Sequence, residues 1–266
     1  MFKSMKNKCF HNHICLILEK LINREPFAFN RFSDGELYIL KNEELILDHK
    51  MVKVGSNKTK ALYNKEDHKR FCPQKHGYYR ERLIDAFVFE GQNYFPGVSC
   101  RCCVGKDNFN FQLDLLKESN ISFDNVTWSN LFLNSNYSFF VNLIIPVLFE
   151  LNIVFICNEN ADLSSIPNLV KDFRVGYNAM INDYNKIELI SEWISSNNIK
   201  NHLFLFSAST FSKLAIHQLF KDYPNNTYLD IGTTLNPFIG MRSDRTYLRQ
   251  FWLDESGSDL QKSCVW

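Results

Sequence analysis

HLFLFSASTFSKLAIHQLFKDYPNNTYLDIG, residues 202–232, contains one complete unit of an α/β fold. His202–Phe206 is a short apolar run of the length expected for a buried strand. Thr210–Phe220 places Phe211, Leu214, Ala215 and Leu219 at helical spacing, and Asn226–Ile231 is a second apolar strand. Two strands joined through a helix pair in parallel, with a right-handed crossover.

The pattern extends in both directions. Upstream, Ser138–Phe149 reads as a helix and Asn152–Cys157 as a strand. Lys186–Ser196 is a helix with Ile187, Ile190 and Trp193 on one side. Nearer the N-terminus, Ile14–Ile22 is helical, Phe27–Phe32 a strand and Gly35–Glu44 a helix. Leu45–Val54 is extended. Tyr78–Glu90 has helical spacing (Leu83, Ile84, Phe87), and Asn93–Ser99 is a strand. Alternating strands and helices predict an α/β fold, Rossmann-like, with a mostly parallel sheet flanked by helices. The expectation is a single domain over 1–266, with a polar, mobile loop around a short helix at about 57–77 and a surface-wrapping tail from about 241.

The composition narrows the function classes. The 266 residues are 45% hydrophobic, enough for a sizeable core. A net charge of +1 leaves no basic field for nucleic acid. The 24 Phe and 11 Tyr are expected to serve mainly in packing. The apolar run Phe139–Cys157 is interrupted by Asn142, Pro146, Glu150 and Asn152, so it falls short of the roughly 20 apolar residues of a membrane span. Peripheral membrane association stays open. No secretory signal is visible, and the expected location is cytoplasmic, with reduced thiols. Cys100, Cys102 and Cys103 form a C-x-C-C cluster. His68, Cys72 and His76 lie upstream, but no second close pair completes a zinc site, so metal-free thiols are expected.

In an open parallel sheet, ligands bind beyond the carboxyl ends of the strands. Three polar stretches fall there: Ser33-Asp34-Gly35-Glu36, Ser207-Ala208-Ser209-Thr210, and Asp230-Ile231-Gly232. Asp34 and Glu36 are close enough to repel unless a cation lies between them. Carboxylates suit Mg²⁺ or Mn²⁺, and Gly35 permits close backbone approach. The competing reading is a helix cap, with Ser33 or Asp34 at the N-cap and Glu36 in the first turn. Arg31 binds a phosphate or pairs with Asp34. The hydroxyl-rich turn with Ser207, Ser209 and Thr210 is either an anion site at a helix N-terminus or a plain cap. Asp230 binds a ligand hydroxyl or caps a turn. LDIG superficially resembles the first motif of Rossmann methyltransferases, but TTLNPF after it lacks their further glycines. Asn134, Asn136 and Tyr137 bind sugar hydroxyls or cap a helix. Arg242 and Arg245 neutralise a pyrophosphate or lie in solvent. His202 and His217 fall in core elements and read as structural.

RFSDGE, Arg31–Glu36, resembles the R-F-G-D-G-E signature of the GT-D glycosyltransferases, bacterial enzymes with a Rossmann-like fold of their own and a D-x-E metal motif. The late segments LFLFSAS, LAIHQLF and TYLDIG are similar to that family's closing strand–loop–helix–strand, which ends in Asp-Ile-Gly. The stretch from about Leu45 to Asn185 carries no match. Ser33 stands where the family usually has glycine, and the late loop is richer in hydroxyls than the usual Gly-Pro version. The resemblance implies a GT-D-like fold and a nucleotide-sugar donor, UDP-linked, with Mn²⁺ or Mg²⁺ on Asp34 and Glu36. It implies transfer to a glycan or glycoprotein acceptor in surface-polysaccharide or glycoprotein assembly. Arg31, Ser33, Gly35 and the Ser207–Thr210 loop would face the diphosphate, with Asp230 and Gly232 near the donor. Glu159, in ICNENAD after a strand, is the candidate catalytic base. The alternatives are a metal-dependent phosphoesterase or nucleotidyl transferase on the same carboxylates, and a non-catalytic nucleotide- or glycan-binding module.

Overall fold

The computed structural model describes residues 10–48, 51–60, 68–241 and 245–253. Its main sheet has seven strands: β1 (Ala28–Arg31), β6 (Tyr94–Val98), β7 (Thr127–Trp128), β8 (Ile153–Asn158), β9 (Leu169–Val175), β10 (Leu203–Ser207) and β11 (Thr227–Asp230). The order is β7-β6-β1-β11-β10-β8-β9, with every pairing parallel. The longer helices among the described residues are α1 (Phe10–Ile22), α2 (Asp34–Leu40), α3 (Gly77–Phe87), α4 (Arg101–Glu118), α5 (Lys186–Ser196), α6 (Ser209–Asp222) and α7 (Thr246–Leu253). The 202–232 unit forms β10, α6 and β11 as its pattern predicts. Helix α6 is buried over Thr210–His217, Leu219 and Phe220, and packs between the sheet and α3. The chain runs outward from β1 through β6 to β7, then crosses to the other side of β1. The cleft opens at that reversal.

Between β1 and β6 the chain departs from expectation. Helix α2 stops at Leu40 rather than Glu44. Asn42 is left-handed (φ 63°), Glu43 N–H donates to Tyr38 O and Asn42 N–H to Ile39 O, which is a Schellman closure. The extended segment Leu45–Val54 forms β2 (Leu45–Leu47) and β3 (Met51–Val54), and the expected polar loop at 57–77 adds β4 (Asn57–Lys60) and β5 (Lys69–Phe71), giving a second, antiparallel sheet ordered β4-β3-β2-β5. Residues 61–67 lie outside the described ones, as does most of the expected tail; α7 begins at Thr246. Leu45 of β2 pairs with Phe71 of β5, and both join the apolar core under the main sheet. Phe27, Phe29, Phe32, Phe87, Phe132 and Phe204 are fully buried there, so these rings are packing residues. Among the described residues no helix is long and apolar enough to cross a membrane.

Candidate active site

A cleft of about 610 Å³ lies over the carboxyl ends of the main-sheet strands. The turns after β1, β6, β8, β9, β10 and β11 all contribute to its wall, and β5 covers one side. Of the residues singled out in the sequence, Arg31, Ser33, Asp34, Glu36, Ser207, Ser209, Thr210, Asp230 and Gly232 line this one cleft. Arg245 and Asn134 reach it too, while Arg242 lies outside the described residues. Glu159 is exposed and is not part of the lining. Its Oε1 is 3.6 Å from where a Cβ would stand on Gly176, at the rim.

The two carboxylates of the opening motif have separate environments. Glu36 is 1% exposed, although it sits in the first turn of α2. Its Oε2 accepts the Ser33 N–H (3.0 Å) and the Ser33 Oγ–H (2.7 Å), the return bond of a capping box. Its Oε1 accepts Thr210 Oγ1 (2.8 Å) and lies 3.5 Å from Lys69 Nζ. A carboxylate has about four lone-pair sites, and here all are taken. Burial alone would raise the Glu36 pKa; the charges of Lys69 and Lys213, with the Ser33 and Thr210 bonds, outweigh it and hold the carboxyl well below the usual range. Glu36 therefore ties the β1–α2 turn, the β10–α6 turn and β5 together. Asp34, two residues earlier, is exposed and faces the cleft, and its side chain has no hydrogen bond or ion pair among the described residues.

The cation nearest Glu36 is Lys69. A Cβ on Gly35 would stand 2.8 Å from Lys69 Nζ, so glycine at 35 makes room for the ammonium. Beneath lies a second cationic cluster. Lys213 Nζ bonds Asp230 Oδ2 and donates to Ser209 O at 3.2 Å, and both partners of the ion pair are buried. Arg31 Nη1 is 3.9 Å from Asp230 Oδ1, and Arg31 Nε donates to Ser129 O at 2.5 Å. Gly232, at φ 54°, leaves the space that Arg31 fills; a Cβ there would fall 2.0 Å from Nη1. Asp230 is thus a buried counter-ion at the cleft wall, and its Oδ1 also accepts the Gly232 N–H at 3.1 Å.

At the β10–α6 turn, Ser209 is left-handed (φ 53°), a conformation that costs a non-glycine residue energy and concentrates at functional sites. Tyr177, half-exposed in the cleft wall, packs on His68 with ring centroids 4.3 Å apart. Lys69 and Lys213 are the site residues that sequence reasoning missed. Lys213 had a signal, as a cation set among Phe211, Leu214, Ala215 and Ile216 in the buried stretch of α6. Lys69 had none, in a polar stretch that reads as loop.

Asn136 and Tyr137 serve the fold: Asn136 Nδ2 donates to Asn130 O (3.2 Å) and Tyr137 OH to Thr234 O (2.8 Å). His217 is buried beside Phe89, but His202 is only partly buried, its Nδ1 2.8 Å from Lys200 O.

No protein-family model and no curated protein matches the chain. Among solved structures, it is similar to one described as a new glycosyltransferase (DUF1792) from Streptococcus sanguinis. That similarity has a TM-score of 0.55 at 13% identity, covering 92% of this chain and 85% of that one. It is also similar to a selenomethionine-substituted structure of the domain of unknown function 1792, with a TM-score of 0.51 at 10% identity, covering 95% and 88%. The α/β fold of this chain is the fold of these DUF1792 structures.

Proposed function

We propose that the chain is a metal-dependent glycosyltransferase of GT-D type, moving a sugar from a nucleotide-sugar donor to a hydroxyl of a glycan or glycoprotein. The observation that carries this reading is the pairing, in one cleft, of an open carboxylate on Asp34 with the cations of Arg31, Lys69 and Lys213. A DUF1792 structure of the same fold is described as a glycosyltransferase. The resemblance of RFSDGE to the GT-D signature adds the UDP-linked donor.

The residues fit a Mg²⁺ or Mn²⁺ ion with one amendment. Such ions are commonly held by one or two carboxylates together with substrate phosphates and waters. Asp34 offers an open carboxylate; Glu36 has every acceptor position filled. Asp34 is therefore the protein ligand, and Glu36 positions the turn that presents it. When bound, the metal neutralises charge developing on the departing diphosphate.

The chain's own residues do the rest. Arg31, held by Ser129 O and Asp230, aims a fixed guanidinium at the same charge. Lys69 adds a second cation from β5. Tyr177 offers a ring face for the donor's base. The β-sheet turns hold these groups in place before the donor arrives, which removes reorganisation from the barrier. Glu159, at the rim, is assigned no step.

The test is thermal unfolding with uridine diphosphate in Mn²⁺ and in EDTA. Ligand at about 100 times its dissociation constant adds about 2.7 kcal/mol of stability. The shift is expected in Mn²⁺ and largely absent in EDTA. Equal shifts in both buffers would remove the metal from the reading.

A further inference from the structure

Beside the cleft, the C-x-C-C cluster folds onto a single turn. Cys100 is the N-cap of α4, and the amides of Cys103 and Val104 both donate to its carbonyl (3.1 and 3.2 Å). Gly105, at φ 79° and ψ 169°, breaks the helix immediately afterwards. The turn gathers the sulfurs of Cys100, Cys102 and Cys103 within 4.8 Å of one another, with Cys100 Sγ and Cys102 Sγ 2.9 Å apart. Asn130, from the loop after β7, is 5% exposed and places Nδ2 3.9 Å from the sulfurs of both Cys100 and Cys103. Cys100 is buried, Cys102 and Cys103 are exposed, and Cys103 and Asn130 line the cleft.

We propose that Cys100, Cys102 and Cys103 form a binding site for one Zn²⁺ ion, independent of the glycosyl-transfer reading. Thiolate ligands select Zn²⁺ and Cu⁺ over the hard ions that carboxylates hold, so this site and Asp34 do not compete for one metal. A zinc–sulfur distance of about 2.3 Å sets three shared sulfurs roughly 4 Å apart. Side-chain adjustments of about 1 Å bring the present cluster to that spacing. The Asn130 amide supplies the outer donor that ligating groups of metal sites usually have. Among the described residues no fourth His, Cys, Asp or Glu joins the group. The fourth position therefore goes to water or to a donor arriving through the cleft, the pattern of open zinc sites. The expectation of metal-free thiols rested on the missing second pair, and three ligands on one turn remove that requirement.

The test is titration of the full chain with Cd²⁺, under a phosphine reductant, followed by sulfur-to-cadmium charge-transfer absorption. One equivalent is expected to saturate the band, and excess Zn²⁺ to compete, raising the Cd²⁺ concentration needed to reach it. Cys102→Ser and Cys103→Ser change exposed side chains and keep the fold, which circular dichroism checks; each should abolish the one-equivalent band. Cys15→Ser should leave it unchanged, and Asn130→Ala should weaken binding about 10–100-fold. Absence of a band at one equivalent, or a band that survives both serine substitutions, would overturn the proposal.

Discussion

Replacing Glu36 with Gln separates a structural carboxylate from a metal-binding one. Gln keeps the size of the side chain but has one acceptor oxygen and one donor nitrogen. If the oxygen faces Ser33, the amide nitrogen faces the Lys69 ammonium, donor against donor. If it faces Thr210 and Lys69, the Ser33 N–H and hydroxyl confront the amide instead. Either orientation leaves a buried donor without its acceptor, a loss of about 1–3 kcal/mol, and the remaining bonds lose charge assistance. Relief of a desolvated charge works in the opposite direction. The net expectation is a destabilisation of about 2–3 kcal/mol at pH 7, read as a lower urea midpoint at unchanged slope. A pH arm checks the cause. The folded carboxyl resists protonation more than the unfolded one, whose ordinary value is 4.5. Below that pH the unfolded chain binds more protons, so wild-type stability falls with acid. Gln does not titrate, so the gap between the two proteins should narrow from pH 5 downward. A change below about 0.5 kcal/mol at pH 7, or a gap that ignores pH, would refute the reasoning and return Glu36 to the metal.

Asp34→Asn removes a charge from an exposed side chain, so stability should change by less than about 0.5 kcal/mol, while the Mn²⁺-dependent shift with uridine diphosphate disappears; thermal unfolding with and without the ligand reads both. Gly232→Ala meets both a positive φ and the Arg31 guanidinium, and should cost about 2–4 kcal/mol and weaken diphosphate binding; a cost under 1 kcal/mol would mean Arg31 yields freely. Burial, with the charges of Lys221 and Arg82 and against that of Asp85, lowers the His217 pKa from 6.5 to about 4. The folded chain thus resists protonation, so about 3 kcal/mol should be lost as pH falls from 6.5 toward 4. His217→Met should flatten that segment of the stability profile.

Much of the frame was legible in the sequence because it follows from hydrophobic pattern. The strands Phe27–Phe32, Asn93–Ser99, Asn152–Cys157, His202–Phe206 and Asn226–Ile231 all appear within one or two residues of their expected bounds, and Lys186–Ser196 appears as read. What escaped lacked pattern. Strand β5 is three residues long, too short for alternation to register. Helix α4 is polar over its first turns and broken at Gly105, and β9 is largely solvent-facing at the sheet's edge. The site was legible as a set of turns at strand ends, and the cleft brings them together. The separate environments of Asp34 and Glu36 were not, because the burial of Glu36 depends on Thr210 and Lys69, which lie 174 and 33 residues from it. The ion pair of Asp230 with Lys213 was not legible for the same reason: Lys213 lies on the buried part of α6.

The most direct test of glycosyl transfer is product analysis after incubation with a panel of nucleotide sugars, in Mn²⁺, with and without glycan acceptors. The account predicts metal-dependent release of nucleoside diphosphate from at least one donor, matched by sugar gained on the acceptor, and loss of both with Asp34→Asn. Release of inorganic phosphate or nucleoside monophosphate without an acceptor, or turnover in EDTA that Asp34→Asn leaves intact, would contradict it.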